Sequence, residues 1–450
     1  MRRDFLPQKV VVLGGARTPI GSFLGALRAA PAARLAAAAA AGALQRSGVA
    51  PAEIQQCLVG QVIASGQGKG AHRLALQRSG KCFSNISPSV AVASSPAVLA
   101  FAAPCLWGLS ACCLLLPFRF RIPYSASVYG VNGSCPSGLK AVCLAASSVA
   151  LGETPLALAV GVESLSNAPY LLLRARQGGY KLGDGSLADS IVLEGLRGFE
   201  NQKPRGTRAE AAAVQLGISR EECDKYAVQS FKRAADAASS GFFRLEGLLP
   251  FSTASLDMPS QCAICAACSP QVPQLQQHQE RHLAVFRHRR QQPQHQEPPG
   301  VLQQDEEVQR LSLDRLASAD PVFGPEGLTT SENAFKLGDG AAAVVLAADE
   351  EARKRGLKPL ASIMRVQADL YEIHEVFAAL PLLLMRRLSL CPSRVNLHGG
   401  AISLGHPLGM SGVRMLLSLT AALKARDLLY GCAVICNGED SATAIVLEAL

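Results

Sequence analysis

Short, glycine-marked apolar runs recur from one end of this chain to the other, and they restrict its fold more than any other feature. VVVL at Val10–Leu13 runs into the turn GGARTPIG, and LALAVGVES, GDGAAAVVLAA, GCAVIC and TAIVLEAL follow later. Runs this short and this apolar read as strands covered on both faces. Further strands are expected over Leu58–Ile63 and in SASVYGVN, ahead of Cys135. The segments between them carry helical signatures. These are the Ala-rich run from Ala33 to Leu44 ending near Gly48, the stretch Ser137–Leu151, and EECDKYAVQSFKRAADAASS from Glu221 to Ser240. SREE introduces the last and marks a capping box at Ser219. Strands alternating with helices throughout predict a layered α/β fold with largely parallel strands.

The 450 residues are 49% apolar and 5% aromatic, enough for one large α/β unit or two domains. The formal charge of +9 is scattered as single Arg and Lys rather than gathered into runs. That argues against a nucleic-acid partner and suits a phosphate-bearing substrate steered by a diffuse positive field. The 14 cysteines lack the dense, regular spacing of a secreted scaffold, and Met1–Lys9 has no apolar signal core, so reduced thiols in a cytoplasmic protein are expected.

Two stretches break the rhythm. Residues 82–118 contain no charge and are long enough to cross a bilayer, but Pro96, Pro104 and several serines interrupt them. A buried or misfitting insertion is the reading, and membrane attachment is not expected. Residues 251–304 are rich in Gln, Pro and His and read as a disordered surface loop. Within them Cys262, Cys265 and Cys268 have the spacing of iron–sulfur ligands, but Val272 stands where the fourth would be. No metal site is therefore assigned.

Four places could carry chemistry. Cys135, in VNGSCPSGLK, sits where a strand hands over to a helix. Backbone N–H groups there favour a thiolate and can bind an oxyanion, although a buried, inert cysteine is the commoner outcome. His406, in GGAISLGHPLGMSG, lies in a glycine-rich loop of the kind that approaches ligands closely. Cys436, in VICNGED, follows an apolar strand, and His374 in EIHEVF offers a second imidazole. A cysteine with a histidine is a nucleophile with its base, and a second cysteine suggests a separate proton transfer.

Taken together, GGARTPIGSFLGAL, VNGSCPSGLKAVCLAASSVALGETPLALAVGVESLSNAPY, ISREECDKYAVQSFKRA, GDGAAAVVLA, EIHEVFAA, VNLHGGAISLGHPLGMSG and VICNG resemble the thiolase family, in family order. The resemblance implies a layered fold of two similar α/β halves with a loop domain over CoA. The N-terminal half with its loop domain would span 1–304, with an insertion at 81–120. Residues 305–368 would return to that half, and 369–450 would form a shortened C-terminal half.

By the same resemblance Cys135 matches the nucleophile that carries the acyl group, His406 its activating base, and Cys436 the cysteine that deprotonates the second acetyl-CoA. Gly438 and His374 match oxyanion-binding positions, and Phe335 and Arg205 fall in the CoA and acyl pockets. The implied reaction is a ping-pong Claisen condensation of acetyl-CoA to acetoacetyl-CoA, reversible as thiolysis. It needs no metal or bound cofactor, because the CoA thioester is a substrate, and the family forms homodimers or homotetramers. A ketoacyl-synthase relationship fits less well, because those enzymes use two histidines beside their cysteine.

The chain also departs from the pattern. His374 stands where most members have Asn, and Phe335 replaces a serine that would face CoA. Pro204, Arg205 and Gly206 replace a His-Met-Gly near the acyl pocket. Glu439 and Asp440 follow Gly438 where glycines are usual, and their carboxylates would raise the Cys436 pKa. A few dozen family residues, a helix among them, are missing between Met364 and Asp369. These changes keep open a second reading, a catalytically impaired CoA-binding or oligomer-partner protein. Abrupt insertions and a deletion between intact motifs point to a retained intron and a skipped exon.

Overall fold

The first apolar run forms β1 (Val10–Arg17), in which every residue is buried. The computed structural model describes residues 8–66, 122–123, 125–173, 175–176, 179–182, 184–197, 206–253, 301–364, 368–436 and 441–450. Along the chain follow β2 (Gly21–Ser22), β3 (Gln56–Gly60), β4 (Ser127–Val131) and β5 (Leu156–Ser164). Two small hairpins pair β6 (Tyr170–Leu172) with β7 (Leu187–Asp189), and β8 (Phe251–Ser252) with β9 (Val301–Leu302). The remaining strands are β10 (Gly338–Ala348), β11 (Ala361–Met364), β12 (Leu370–Ile373), β13 (Tyr430–Cys436) and β14 (Ala442–Ala449).

One sheet runs in the order β12-β13-β14-β11-β1-β10-β5-β3-β4, with β2 added to β10. Outward from the seam between β1 and β11, the strands β1, β10, β5 and β3 are joined by two antiparallel pairings and then a parallel one. On the other side β11, β14, β13 and β12 repeat that sequence of senses. The mixed α/β fold thus holds two similar halves, joined by Val11 opposite Ser362 and Val12 opposite Ala361.

The expectation of largely parallel strands is wrong for the sheet centre. Parallel pairing is confined to β4–β3–β5 and β12–β13. Continuous apolar runs report burial on both faces, and here helix layers supply it to antiparallel strands too. Helix α1 (Ala32–Ser47) covers one face of β1, β5 and β10, and ends on Gly48 in the left-handed conformation. On the other face lie α2 (Ser137–Ala150) and, from the C-terminal half, helix Ser411–Ala425. These two helices pack on each other and touch strands of both halves, so one core joins the halves around them.

A separate core gathers on α3 (Arg220–Ser239) and the helix Ala379–Leu388. The capping box read at Ser219 is present: its hydroxyl accepts from Glu222 N at 3.2 Å, and Glu222 accepts from Ser219 N at 2.9 Å. Helix Ser411–Ala425 is called α4 below.

The halves differ in cover. In the first, α1 fills the connection from β1 to β3. In the second, residues 365–369 alone link β11 to β12. Accordingly β5 is buried at every position, whereas β13 alternates buried with half-buried residues. The loop expected over 251–304 is narrower than that range, because its ends pair as β8 and β9. Its middle, with Cys262, Cys265 and Cys268, lies outside the described residues, as does 82–118. No described helix is long and apolar enough to cross a membrane.

Candidate active site

The strand-to-helix turn that carries Cys135 is built by side-chain caps. Asn132 Oδ1 accepts from Ser134 N at 3.1 Å, an Asx turn, and Asn132 Nδ2 donates to the carbonyl of Val62 at 3.0 Å. Ser137 Oγ accepts from Gly133 N at 3.0 Å and donates to the Ser134 carbonyl. Ser134 is held at a φ of 61°, a costly left-handed conformation for a residue other than glycine. The turn leads from Cys135, 7% exposed, through Pro136 into α2, whose first N–H, on Ser137, donates to the Ser134 carbonyl at 2.9 Å.

His406 comes from the opposite side, on the loop that leads into α4. Its backbone is fixed by His406 N donating to Lys336 O at 2.7 Å. Two glycines let this loop reach the helix that follows Cys135. A Cβ on Gly138 would lie 2.2 Å from the Gly409 carbonyl, and one on Gly409 would lie 2.4 Å from the Val162 carbonyl. Only bare backbone fits at that contact.

The His406 ring is fully buried, and burial, helped by Arg414, pushes its pKa down to about 3. The ring is therefore neutral, and its single proton has a defined place. Nδ1 lies 2.6 Å from Ser411 Oγ, and that hydroxyl donates to the Pro407 carbonyl at 3.2 Å. Nδ1–H then donates to Ser411, leaving a lone pair on Nε2. Nε2 is buried with no hydrogen-bond partner among the described residues. A neutral imidazole with a bare nitrogen can accept a proton, although the same burial makes it a weak base until an opposing charge arrives beside it.

His374 follows β12, and its Nε2 stands 3.3 Å from His406 Nδ1. Burial first, then His406 and Arg414, hold it well below the usual histidine range. Phe335 presents its ring edge-on to His406 with centroids 5.0 Å apart. Cys436, half-buried at the end of β13, packs in the cluster of Ala334, Val376 and Phe377 that also holds Phe335. His406, His374, Phe335 and Cys436 thus share one neighbourhood, with the Cys135 helix against the His406 loop. Arg205 and Gly438 lie outside the described residues, as do Glu439 and Asp440. No cluster of three potential metal ligands occurs among the described residues.

Sequence reading missed three buried supports. Ser411 fixes the His406 proton and stands five residues after it. Glu375 accepts from Tyr226 at 2.9 Å, Ser230 at 2.8 Å and Asn396 at 3.0 Å, tying α3 to the His374 loop. Glu163 is the lone charge in the otherwise apolar run LALAVGVES. A carboxylate inside or beside a fully buried strand was the available signal, since such groups are kept only with partners.

A family model described as Thiolase, N-terminal domain, matches residues 10–98, 116–263 and 286–350, and one described as Thiolase, C-terminal domain, matches 338–449. Acetyl-CoA acetyltransferase 2 of Arabidopsis thaliana is 32% identical over 99% of this chain and 98% of its own length. The cytosolic acetyl-CoA acetyltransferase of Gibberella zeae is 29% identical over 98% of each. The mitochondrial acetyl-CoA acetyltransferase of Rattus norvegicus is 31% identical over 98% of this chain and 91% of its own. Among solved structures, a thiolase from Ascaris suum in complex with coenzyme A superposes with a TM-score of 0.74 at 27% identity, covering 98% of this chain and 100% of that one. The acetyl-CoA acetyltransferase from Syntrophomonas wolfei has the same TM-score and identity, covering 98% and 99%.

Proposed function

This chain belongs to the thiolase family, and on that premise we propose that it is an acetyl-CoA C-acetyltransferase working through an acyl group on Cys135. His406 Nε2 takes the Cys135 proton as the sulfur attacks the acetyl carbonyl. The CoA thiolate leaves with that proton, and the acetyl group stays as a thioester. Cys436, as its thiolate, then removes a proton from the methyl of a second acetyl-CoA, and the carbanion attacks the thioester. Cys135 leaves as a thiolate and takes that proton from Cys436 as acetoacetyl-CoA departs, so both sulfurs return to their starting states. N–H groups at the α2 terminus and the Gly438 backbone serve the oxyanion of the first thioester, and His374 borders that of the second. No metal or bound cofactor takes part.

The observation that carries this reading is the unpartnered Nε2 of a neutral, buried His406 on a loop pressed against the Cys135 helix. The relatives' names supply the substrate. Thiolysis of acetoacetyl-CoA by the purified chain is the test. Activity that falls by about 10³-fold or more in Cys135→Ala supports it. Absence of Cys135-dependent turnover refutes it. We also propose a homodimer or homotetramer, supported by β4, which ends the sheet among the described residues and exposes Tyr129 and Gly130. Light scattering gives the mass. The compartment proposed is the cytosol, which the name of the Gibberella zeae relative gives for that protein, and cell fractionation tests it.

Phe335 favours a second reading, a thiolase-like CoA-binding protein without turnover. Its ring stands against His406 where the family resemblance implies a serine facing CoA. Retention of CoA with no thiolysis, and turnover gained by Phe335→Ser, would support it.

A further inference from the structure

Glu163 closes β5 and is fully buried, yet no step of the proposed reaction uses it. Its carboxylate meets three converging backbone N–H groups. Oε2 accepts from Val62 N at 2.9 Å and from Gly409 N at 3.1 Å, and Oε1 accepts from Ile63 N at 3.1 Å. Gly409 lies three residues beyond His406 on the same loop. Val62 leads to the nucleophile, because its carbonyl accepts from Asn132, whose Oδ1 in turn accepts from Ser134, the residue before Cys135. One carboxylate therefore joins the His406 loop to the Cys135 turn through a short, continuous run of hydrogen bonds.

The chemistry of the group fits that task. Three donors arriving from two loops need lone pairs on two oxygens, and a carboxyl supplies them. Burial pushes this carboxyl up to about 8 despite the three N–H bonds, which favour its charged form.

We propose that Glu163 is a positioning residue for the Cys135–His406 pair, fixing nucleophile and base in one frame through Val62, Ile63 and Gly409. The proposal rests on reading Cys135 as the nucleophile and His406 as its base. Glu163→Gln keeps the shape and one acceptor oxygen. With that oxygen on Val62 and Gly409, the amide N–H opposes Ile63 N–H; turned over, it keeps Ile63 and releases the bridge between the loops. Either way the frame loosens while the core stays filled.

The experiment measures thiolysis and the rate of Cys135 alkylation by iodoacetamide, followed by mass spectrometry, in the full chain. For Glu163→Gln the expected result is about a tenfold fall in kcat and a similar fall in alkylation rate. KM for acetoacetyl-CoA should stay within about twofold, because misplacement of reacting groups acts on kcat. Asn132→Ala, at the far end of the same run, should give the same split and be less than additive with Glu163→Gln. An alkylation rate equal to wild type in folded Glu163→Gln overturns the proposal, whatever happens to stability. Should Glu163→Gln not fold, Asn132→Ala decides alone, with unchanged alkylation counting against. If Cys135 of the wild-type chain is itself slow to alkylate and acetyl-CoA gives no protection, the proposed function has failed instead.

Discussion

Gly409→Ala is the sharpest steric test of the site. The added methyl would stand 2.4 Å from the Val162 carbonyl, 2.7 Å from the Gly60 carbonyl and 3.0 Å from Gln61 Cα. An ordinary carbon–oxygen contact is about 3.3 Å, so the loop must retreat by about 0.9 Å. All three obstacles are backbone of adjacent strands or the turn after β3, so no flexible side chain can yield. Overpacking of this kind costs about 1–3 kcal/mol, read as a lower urea midpoint at unchanged slope. The loop carries His406, and a shift near 1 Å between reacting groups costs about 10²-fold in rate. Gly409 N also loses alignment with Glu163. Urea titration together with steady-state thiolysis checks both effects. A variant with wild-type kcat would refute the claim that this backbone contact sets the distance between the proposed base, His406, and the proposed nucleophile, Cys135.

Two further outcomes follow from buried charge. Arg17 is fully buried, with Nε donating to Glu246 at 2.8 Å and Nη1 and Nη2 to Asp305 at 2.8 and 2.9 Å. Arg17→Met leaves two buried carboxylates facing no cation and should cost about 3–5 kcal/mol in urea unfolding at pH 7; a loss under about 1 kcal/mol would contradict this. His398 is stacked on Phe242, and burial, then Arg426 and Arg233, lower its pKa to about 4. The unfolded chain takes a proton near pH 6.5 that the folded chain refuses until about pH 4, so this ring removes stability as pH falls through that window. His398→Asn should flatten the loss by roughly 1 kcal/mol per pH unit, and parallel wild-type and variant stability curves would disprove the assignment.

Much of the frame was legible because it rests on local chemistry. The runs around Val10 and Leu156 have no alternative to burial, Gly48 takes a left-handed cap, and the Ser219–Glu222 box is closed by neighbours in sequence. Strand direction was not legible. Whether β10 enters antiparallel between β1 and β5 depends on where a distant segment returns, and an apolar run reads the same in either sense. At the site, Cys135, His406, His374 and Cys436 announced themselves by residue type and glycine-rich surroundings. The proton on His406 did not, because it depends on Ser411 and on burial that no single residue encodes. Glu163 was passed over for a related reason: its role lies in backbone N–H groups, which every sequence possesses and none displays.

The short link between β11 and β12 also divides the molecule by ease of opening. In the first half β1, β5 and β10 are buried at every residue, and α2, which follows Cys135, packs in the core with α4. In the second half Cys436 ends a strand whose alternate residues are half-buried. Segments with less buried contact open at lower free energy. Cys135, proposed to hold the acyl group, therefore leads into a helix of the central core, whereas Cys436, proposed to hand over a proton, ends a half-buried strand.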